Sequence, residues 1–479
     1  MKIYKKEGDV IQIISFPNEI VEKGEYLLIE DPTIDKGLLV QVIDVQFANV
    51  PGLFEDILRD AVLDEEVDGE NYDPMDVSSQ ISILKDTKLL ICRIRGVLSS
   101  GEIVFGMNYL PSRTLSRIIP YKIENFINST SRNRPFQVGK IRGDNELILD
   151  VKALDGKLNI ITGKKGTGKS HLAKLLILNL VKYGAPCIIF DVNGEYVNLN
   201  KRKTGGTLEF GKFITLTPKI NMKFTLHQAK LTPVLNMMIY SLDLPNTSAR
   251  VFIKIWRELE KRRELSLSSL GEAILKWDCH ESVRDALYVR YSIMVESGLF
   301  TDNINESLDF EFLMKNISNG GGIAINLKSQ SAMIRRMTVE LTLNKLVELL
   351  STWKIQAIFL FAEEAHLYLR ETYWDDIVTR MRHLGIFSTF ITNQPDTIQE
   401  SIYRQADNVF LFNFSNEHDL DVVSKAAKID SESVKKIVKE LPPHYCLIIG
   451  DIVNNFPVVV KVEPLEFETM GETRFFFKN

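Results

Sequence analysis

The apolar positions of the chain fall into short runs before residue 110, and into alternating strand-like and helix-like segments after residue 150. In the first region, residues 10–14, 26–29 and 38–43 are rich in Val, Ile and Leu, and are divided by Gly24 and by Asp31-Pro32. Further runs follow at 88–95 and 103–106. Short, evenly spaced β-rich runs of this kind predict a small β-barrel over residues 1–110. Residues 51–80 interrupt it. Helical spacing at 53–63 leads into a stretch with Asp64, Glu65, Glu66, Asp68 and Glu70, which reads as a solvated excursion before it reads as a functional acidic patch. Residues 111–140 read as a polar, mixed connection.

Beyond it, strands are expected at 158–162, 186–191, 322–327, 356–361 and 387–392, with helices between them. That alternation predicts an α/β core with a mostly parallel sheet covered on both faces. Residues 228–316 break the pattern, being long, helical and without clear strands, and are read as an all-helical insertion. Within it, Asn246-Thr247-Ser248 are expected to cap an amphipathic helix over 249–263, with Val251, Ile255 and Leu259 on one face. A helix at 283–295 would bring the insertion back to the sheet. The core is thus expected in two parts, 111–227 and 317–465, followed by a tail over 466–479. That tail ends in Arg474-Phe475-Phe476-Phe477, and its three aromatics call for burial in the chain's own core or in a neighbouring subunit.

A chain of 479 residues has room for two or three domains, and 45% hydrophobic with 25% charged residues is the balance of a globular protein. No apolar run approaches a membrane span, so no membrane association is expected, and Met1-Lys2-Ile3-Tyr4-Lys5-Lys6 lacks the apolar core of a signal peptide. Cys92, Cys187, Cys279 and Cys446 lie far apart without metal spacing, which suits reduced thiols in a cytoplasm. The net charge of −5 argues against a general polyanion binder. Nucleic acid would have to be held by a local basic surface, such as the lining of a ring.

The chemistry centres on Gly163-Lys164-Lys165-Gly166-Thr167-Gly168-Lys169-Ser170, which fits the phosphate-binding pattern G-x-x-x-x-G-K-[ST]. It follows an expected strand and precedes the helical run that starts at His171. This context surrounds an anion with backbone N–H groups and a helix N-terminus. Lys169 is placed to reach the β- and γ-phosphates of ATP, and the Ser170 hydroxyl to ligate Mg²⁺. A second apolar strand ends in Glu363-Glu364-Ala365-His366. Aligned on a D-E-A-H pattern, Glu364 is the carboxylate that polarises the attacking water, and Glu363 holds the Mg²⁺ shell. Glu363 stands where aspartate is usual, and its extra methylene moves the carboxylate by about 1.5 Å. A third strand ends in Asp191-Val192-Asn193-Gly194-Glu195-Tyr196. Asp191 and Glu195 there either face the ligand crevice or close a polar turn with a structural glycine. A fourth ends at Gln394, suited to sensing the γ-phosphate. Arg380 and Arg382, just before that strand, either complement a helix dipole or act as an arginine finger in a neighbour's site, which requires a ring.

Taken together, the P-loop, Asp191-x-x-Gly194-Glu195-Tyr196, Glu364-Ala365-His366, Arg382-x-x-Gly385 and Gln394-x-Pro resemble the HerA family of ring-shaped DNA translocases, relatives of FtsK. Order and approximate separations agree over nearly the whole chain. The resemblance implies a RecA-like core, an N-terminal HAS-barrel similar to that of rotary ATP synthases, and a homohexamer that threads double-stranded DNA and hydrolyses ATP between subunits. It also implies a partner: a NurA-like nuclease in DNA-end processing, or an effector protein in antiviral defence. Besides Glu363, the sequence departs from the family at Lys157, where arginine commonly precedes the P-loop strand. Lys157 supplies the charge without a bidentate fork. Arg370 is the best candidate for lining a DNA pore. The basic run Lys201-Arg202-Lys203 is a weaker one, since such runs are usually solvated faces. Three other roles are weighed: a membrane-associated DNA pump of the FtsK or conjugation type, against which the lack of a membrane span argues, an ATP-switched scaffold ring that organises an effector enzyme, and a rotary or protein-remodelling ATPase.

Overall fold

The computed structural model describes residues 1–34, 36–48, 86–99, 102–105, 108–130, 133–141, 145–197, 199–203, 206, 210–368, 380–414, 416–426 and 430–467. The acidic excursion at 51–80, Arg370 and the aromatic tail at 475–477 lie outside them. Seven strands occupy the N-terminal region: β1 (Lys2–Glu7), β2 (Val10–Ser15), β3 (Tyr26–Asp31), β4 (Lys36–Phe47), β5 (Lys88–Ser99), β6 (Glu102–Val104) and β7 (Arg117–Tyr121). They pair antiparallel in the order β1-β2-β5-β4-β3-β7, with β6 beside β5. The long pair β4–β5 breaks register between Leu39 and Val40 and again between Val42 and Asp44, as bulges do where a strand bends. Alternate residues Ile11, Ile13, Leu27, Ile29, Leu38 and Val40 share one buried core. No β1–β7 pairing closes the sheet among the described residues.

The core sheet has eleven strands: β8 (Pro135–Lys140), β9 (Glu146–Asp150), β10 (Asn159–Thr162), β11 (Pro186–Asp191), β12 (Lys212–Leu216), β13 (Gly321–Asn326), β14 (Ile358–Glu363), β15 (Ile386–Thr392), β16 (Asn408–Leu411), β17 (Tyr445–Gly450) and β18 (Val458–Val462). Their order is β12-β13-β11-β14-β15-β10-β16-β17-β18-β8-β9. The first seven in that order run parallel, and the last four are added antiparallel. The parallel strands read as unbroken apolar runs because both their faces are covered. In β11, Ile188 and Phe190 join the core on one face, while Cys187 and Ile189 join the core on the other. The polar connection expected at 111–140 instead contains β7, a helix at Ile123–Thr130 and β8.

Between β12 and β13 the chain is helical, with helices at Leu231–Tyr240, Asn246–Arg262, Leu267–Lys276, Glu281–Glu296 and Phe310–Ile317. The second of these starts with the three residues expected to cap it. Pro245 takes the cap position, and its carbonyl accepts from the Ala249 N–H at 2.9 Å. Phe252, Ile255, Trp256 and Leu259 form its buried face. The Phe224 N–H donates to the Leu299 carbonyl (2.8 Å) and the Thr301 N–H to the Phe224 carbonyl (3.0 Å), drawing residues 224 and 299–301 together.

The N-terminal sheet is fixed to the core by buried polar contacts. The Tyr26 hydroxyl and the Gln41 amide both donate to the Pro457 carbonyl, each at 2.9 Å. Arg95 bridges the Gln41 side chain (3.0 Å) and the Asp430 carboxylate (2.9 Å). Among the described residues no helix is long and apolar enough to cross a membrane.

Candidate functional site

All seven parallel strands deliver their C-terminal ends to one edge of the sheet. β10 ends there at Thr162, and after the glycine loop the helix Lys169–Lys182 begins. The loop passes so close to the chain after β16 that a Cβ on Gly163 would lie 2.5 Å from that of Phe412. Gly168, the residue before the helix, has φ 116, a left-handed conformation that costs glycine little. The loop is braced from within by the Thr167 hydroxyl, which donates to the Lys164 carbonyl (2.8 Å). From outside, the Lys164 N–H donates to the Asn413 carbonyl (3.0 Å). Lys164, Lys165 and Gly166 are exposed at its crest. The buried Lys169 ammonium donates to the carbonyls of Gly163 (2.8 Å) and Lys164 (3.0 Å). Burial lowers its pKa, against the opposing fields of Glu364, Glu363 and Glu195. A buried ammonium with neutral hydrogen-bond partners, at the mouth of a glycine loop, fits the phosphates of a nucleotide.

The residues for a Mg²⁺ ion fit as well. The Ser170 hydroxyl donates to Glu363 Oε1 at 3.1 Å, and Glu363 Oε2 is buried without a hydrogen-bond partner. The longer glutamate chain therefore reaches Ser170. A hydroxyl and a half-paired carboxylate, completed by phosphate oxygens and water, match the hard oxygen set that Mg²⁺ takes. Burial first, and then the charges of Glu195 and Asp191, push the Glu363 carboxyl up to about 8, with Ser170 and Lys174 pulling back. The folded protein thus keeps a proton that the unfolded chain releases near the ordinary value of 4.5. Stability from this group is full below that lower value and is lost as pH rises toward about 8. Without Mg²⁺, the melting temperature is expected to fall across this window, and Glu363→Gln to flatten the slope in differential scanning calorimetry. An unchanged slope would assign the pH dependence to other groups.

Glu364 follows at φ 45, unusual for a glutamate, with its N–H donating to the Ile391 carbonyl (2.8 Å). This left-handed turn takes Glu364 off the strand, the kind of local strain that functional sites store. Its Oε2 has no hydrogen-bond partner, and His366 Nδ1 lies 3.7 Å away. β15 separates β14 from β10 and ties them together. The Thr162 hydroxyl donates to the Thr392 carbonyl (3.1 Å), while Thr392 Oγ1 accepts the Gln394 N–H (3.0 Å) and lies 3.4 Å from His366 Nδ1. Gln394 is exposed at this edge, and Asn393 Oδ1 is buried without a partner. His366 was named from the sequence only to set the motif register, and Thr392 and Asn393 were given no role, although the polar run after β15 was the available signal.

Asp191 is fully buried and closes its own turn. It accepts the N–H groups of Glu195 (2.9 Å) and Tyr196 (3.0 Å). Burial raises its pKa while those N–H groups lower it. Of the two alternatives read from the sequence, this is the geometry of the polar turn. Glu195 pairs instead with Lys174 at 3.2 Å, and the Lys174 ammonium lies 5.3 Å from the centre of the Tyr196 ring. Lys174 stands one turn beyond Ser170 on the P-loop helix and was also missed. A lone lysine on the buried face of that helix was the signal.

Lys157 and Arg382 are not brought to this edge. Lys157 precedes β10 and pairs with Asp451 and with Asp407 (3.6 Å). Arg382, in a short helix before β15, lies 3.2 Å from Asp407 and is 38% exposed. Both stand at the opposite edge of the sheet from the P-loop of their own chain, a strand length of about 13 Å away. Arg380 is exposed nearby. Lys201, Arg202 and Lys203 meet the end of the described chain, where the Lys203 N–H donates to the Glu466 carbonyl (2.9 Å) and Arg202 bridges Phe467. His171 Nε2 donates to the Glu463 carbonyl at 2.7 Å. Burial, reinforced by His444, Lys174 and Lys203, holds the His171 imidazole below the usual histidine range.

A glycine loop on a central parallel strand, a buried lysine, and a strand-end carboxylate pair across one intervening strand define a P-loop ATPase that uses ATP with Mg²⁺. Residues 136–346 match the family model described as helicase HerA, central domain. The chain is 21% identical over 373 residues to the DNA double-strand break repair helicase HerA of Saccharolobus solfataricus, covering 71% of each chain. It is 23% identical over 427 residues to the protein of that name from Sulfurisphaera tokodaii, covering 82% of this chain and 81% of the relative. Among solved structures, it shares its fold with VirB4 of Thermoanaerobacter pseudethanolicus (TM-score 0.53, 17% identity, 69% of this chain and 96% of that one). It also shares it with the bacterial conjugative coupling protein TrwB (TM-score 0.52, 12% identity, 73% and 93%). Over residues 136–346 the chain thus resembles the HerA central domain, and these likenesses support the HerA–FtsK superfamily.

Proposed function

We propose that this protein is an ATP-driven translocase on double-stranded DNA, acting as a homohexamer with a nuclease or a defence effector. The observation that carries the proposal is the separation of Arg382 from its own P-loop. The phosphate cradle, metal ligands and Glu364 stand on one edge of the sheet, and a half-exposed arginine on the other. Head-to-tail contacts between copies would place each Arg382 at a neighbour's phosphates, and a rotation that closes gives a ring. The relatives named DNA double-strand break repair helicase point to duplex DNA as the track. With a net charge of −5, the duplex is held inside the ring, where a few cations repeat six times. Arg370 is proposed to line that pore. The domains proposed are a HAS-like barrel at 1–110, a RecA-like core at 111–227 and 317–465 split by the helical insertion at 228–316, and a C-terminal tail at 466–479.

ATP turnover with and without linear duplex DNA, each with and without the partner protein, tests this. Stimulation by DNA is expected, with duplex binding that falls steeply with salt and shows little sequence preference. Arg370→Ala is expected to lower that stimulation severalfold while leaving DNA-free turnover in place. No stimulation by DNA in either condition would remove the motor. A scaffold ring switched by ATP draws its support from Glu363, which stands where aspartate is usual. Stimulation by the partner alone would favour it.

A further inference from the structure

Resting on the P-loop assignment, the orientation of the bound nucleotide follows from the sheet order. Ser170, Glu363 and Glu364 gather on the β14–β15 side of the loop, so the γ-phosphate lies there. The nucleoside must leave on the other side, over β16, β17 and β18. Two imidazoles stand there that the hydrolysis chemistry does not use. His444, just before β17, has φ 67. Its N–H donates to the Thr167 carbonyl, and its own carbonyl accepts the Val462 N–H, both at 2.9 Å. A Cβ on Gly168 would lie 3.3 Å from His444 Nδ1, so the ring rests against the turn of the P-loop. His171, the residue after Ser170, is held by the Glu463 carbonyl at 2.7 Å. The two ring centres are 6.1 Å apart at an interplanar angle of 71°.

The two rings differ in how they are committed. His171 is half-buried and hydrogen-bonded. His444 is exposed, and its ring makes no hydrogen bond among the described residues. An unengaged aromatic plane fixed by its backbone to a phosphate loop, with a second ring set edge-on beside it, offers a stacking surface for a heterocycle. We infer that His444 and His171, with the backbone at 463–465, form the base subsite. The purine of the nucleotide stacks on His444, and His171 closes the side of the subsite. Purines, with the larger π-face, are held better than pyrimidines, and this stacking separates a nucleoside triphosphate from bare polyphosphate.

The test uses the full chain in a Glu364→Gln background, which stops turnover. Binding of ATP, CTP and inorganic tripolyphosphate with Mg²⁺ is measured by calorimetry. His444→Asn keeps a residue that tolerates the left-handed backbone and removes the ring. It is expected to weaken ATP about tenfold, to narrow the gap between ATP and CTP, and to change tripolyphosphate less than about twofold. His444→Phe is expected to restore ATP binding. Unchanged ATP affinity in His444→Asn overturns the subsite. So does an equal loss of ATP and tripolyphosphate, which would mean that His444 acts only by holding Thr167. If the parent protein binds neither ligand, the P-loop assignment has failed and takes this subsite with it.

Discussion

Glu364→Gln is expected to bind ATP about as well as the parent and to hydrolyse it at least a hundredfold more slowly. The phosphate cradle is untouched by the change, because Lys169 is held by the carbonyls of Gly163 and Lys164. What is lost is a carboxylate just past the strand end whose Oε2 is buried without a hydrogen-bond partner. A positioned general base contributes about 10²–10⁴-fold, and an amide of the same shape cannot accept the proton. Lys169→Ala is expected to lose hydrolysis together with nucleotide affinity. Single-turnover hydrolysis beside equilibrium nucleotide binding separates the two variants. Near-normal turnover in Glu364→Gln would move the role of base to another group. Glu363→Asp is expected to keep or raise turnover if Glu363 serves only the metal shell.

Arg382→Ala is expected to lower turnover by about a thousandfold, the scale of a lost arginine finger. Mixing it with Lys169→Ala protein is expected to restore part of the activity. Neither variant alone has an interface with both an intact P-loop and an intact Arg382. In a one-to-one mixed ring, about a quarter of the interfaces join an intact P-loop to an intact Arg382. Arg382 holds only a partly exposed pair with Asp407, an interaction weak enough to exchange for a neighbour's phosphate. No rescue at any mixing ratio, or a monomer by light scattering at micromolar concentration, would count against a shared site. Arg380→Ala serves as the comparison, with a smaller loss expected.

The loop and its flanking elements were legible because local sterics dictate them. Gly163 and Gly168 are fixed by backbone approach and by handedness, and the parallel strands announce themselves as apolar runs. Of the antiparallel extension, β18 was legible as the apolar run at 457–462, but the pairing was not. β8 pairs with β18, more than three hundred residues away, and carries β9 with it, and that long-range pairing has no local signal. β1 was hidden by its lysines, which suit an edge strand that must not recruit another. β16 is only four residues long. For the site, Lys157 was named through the resemblance alone, and the structure sets it apart from the P-loop of its own chain because β10 carries the chain across the sheet between the two. Asp191 carried the right chemistry for a ligand crevice, but its two acceptor oxygens are taken by the turn that follows it.

The shared Pro457 carbonyl has a practical consequence for dissecting the molecule. Tyr26 and Gln41 both converge on it from the N-terminal sheet, and Gly24 packs so tightly on Val459 that a Cβ there would lie 2.8 Å from a methyl. A chain cut to the boundaries of the family match at 136–346 would lack these contacts, and would also lose β14 to β18 from the middle and far side of the sheet. The ATPase motif region is therefore no separable module. Truncation into the sheet from either end is expected to yield insoluble chain where point substitution yields folded protein.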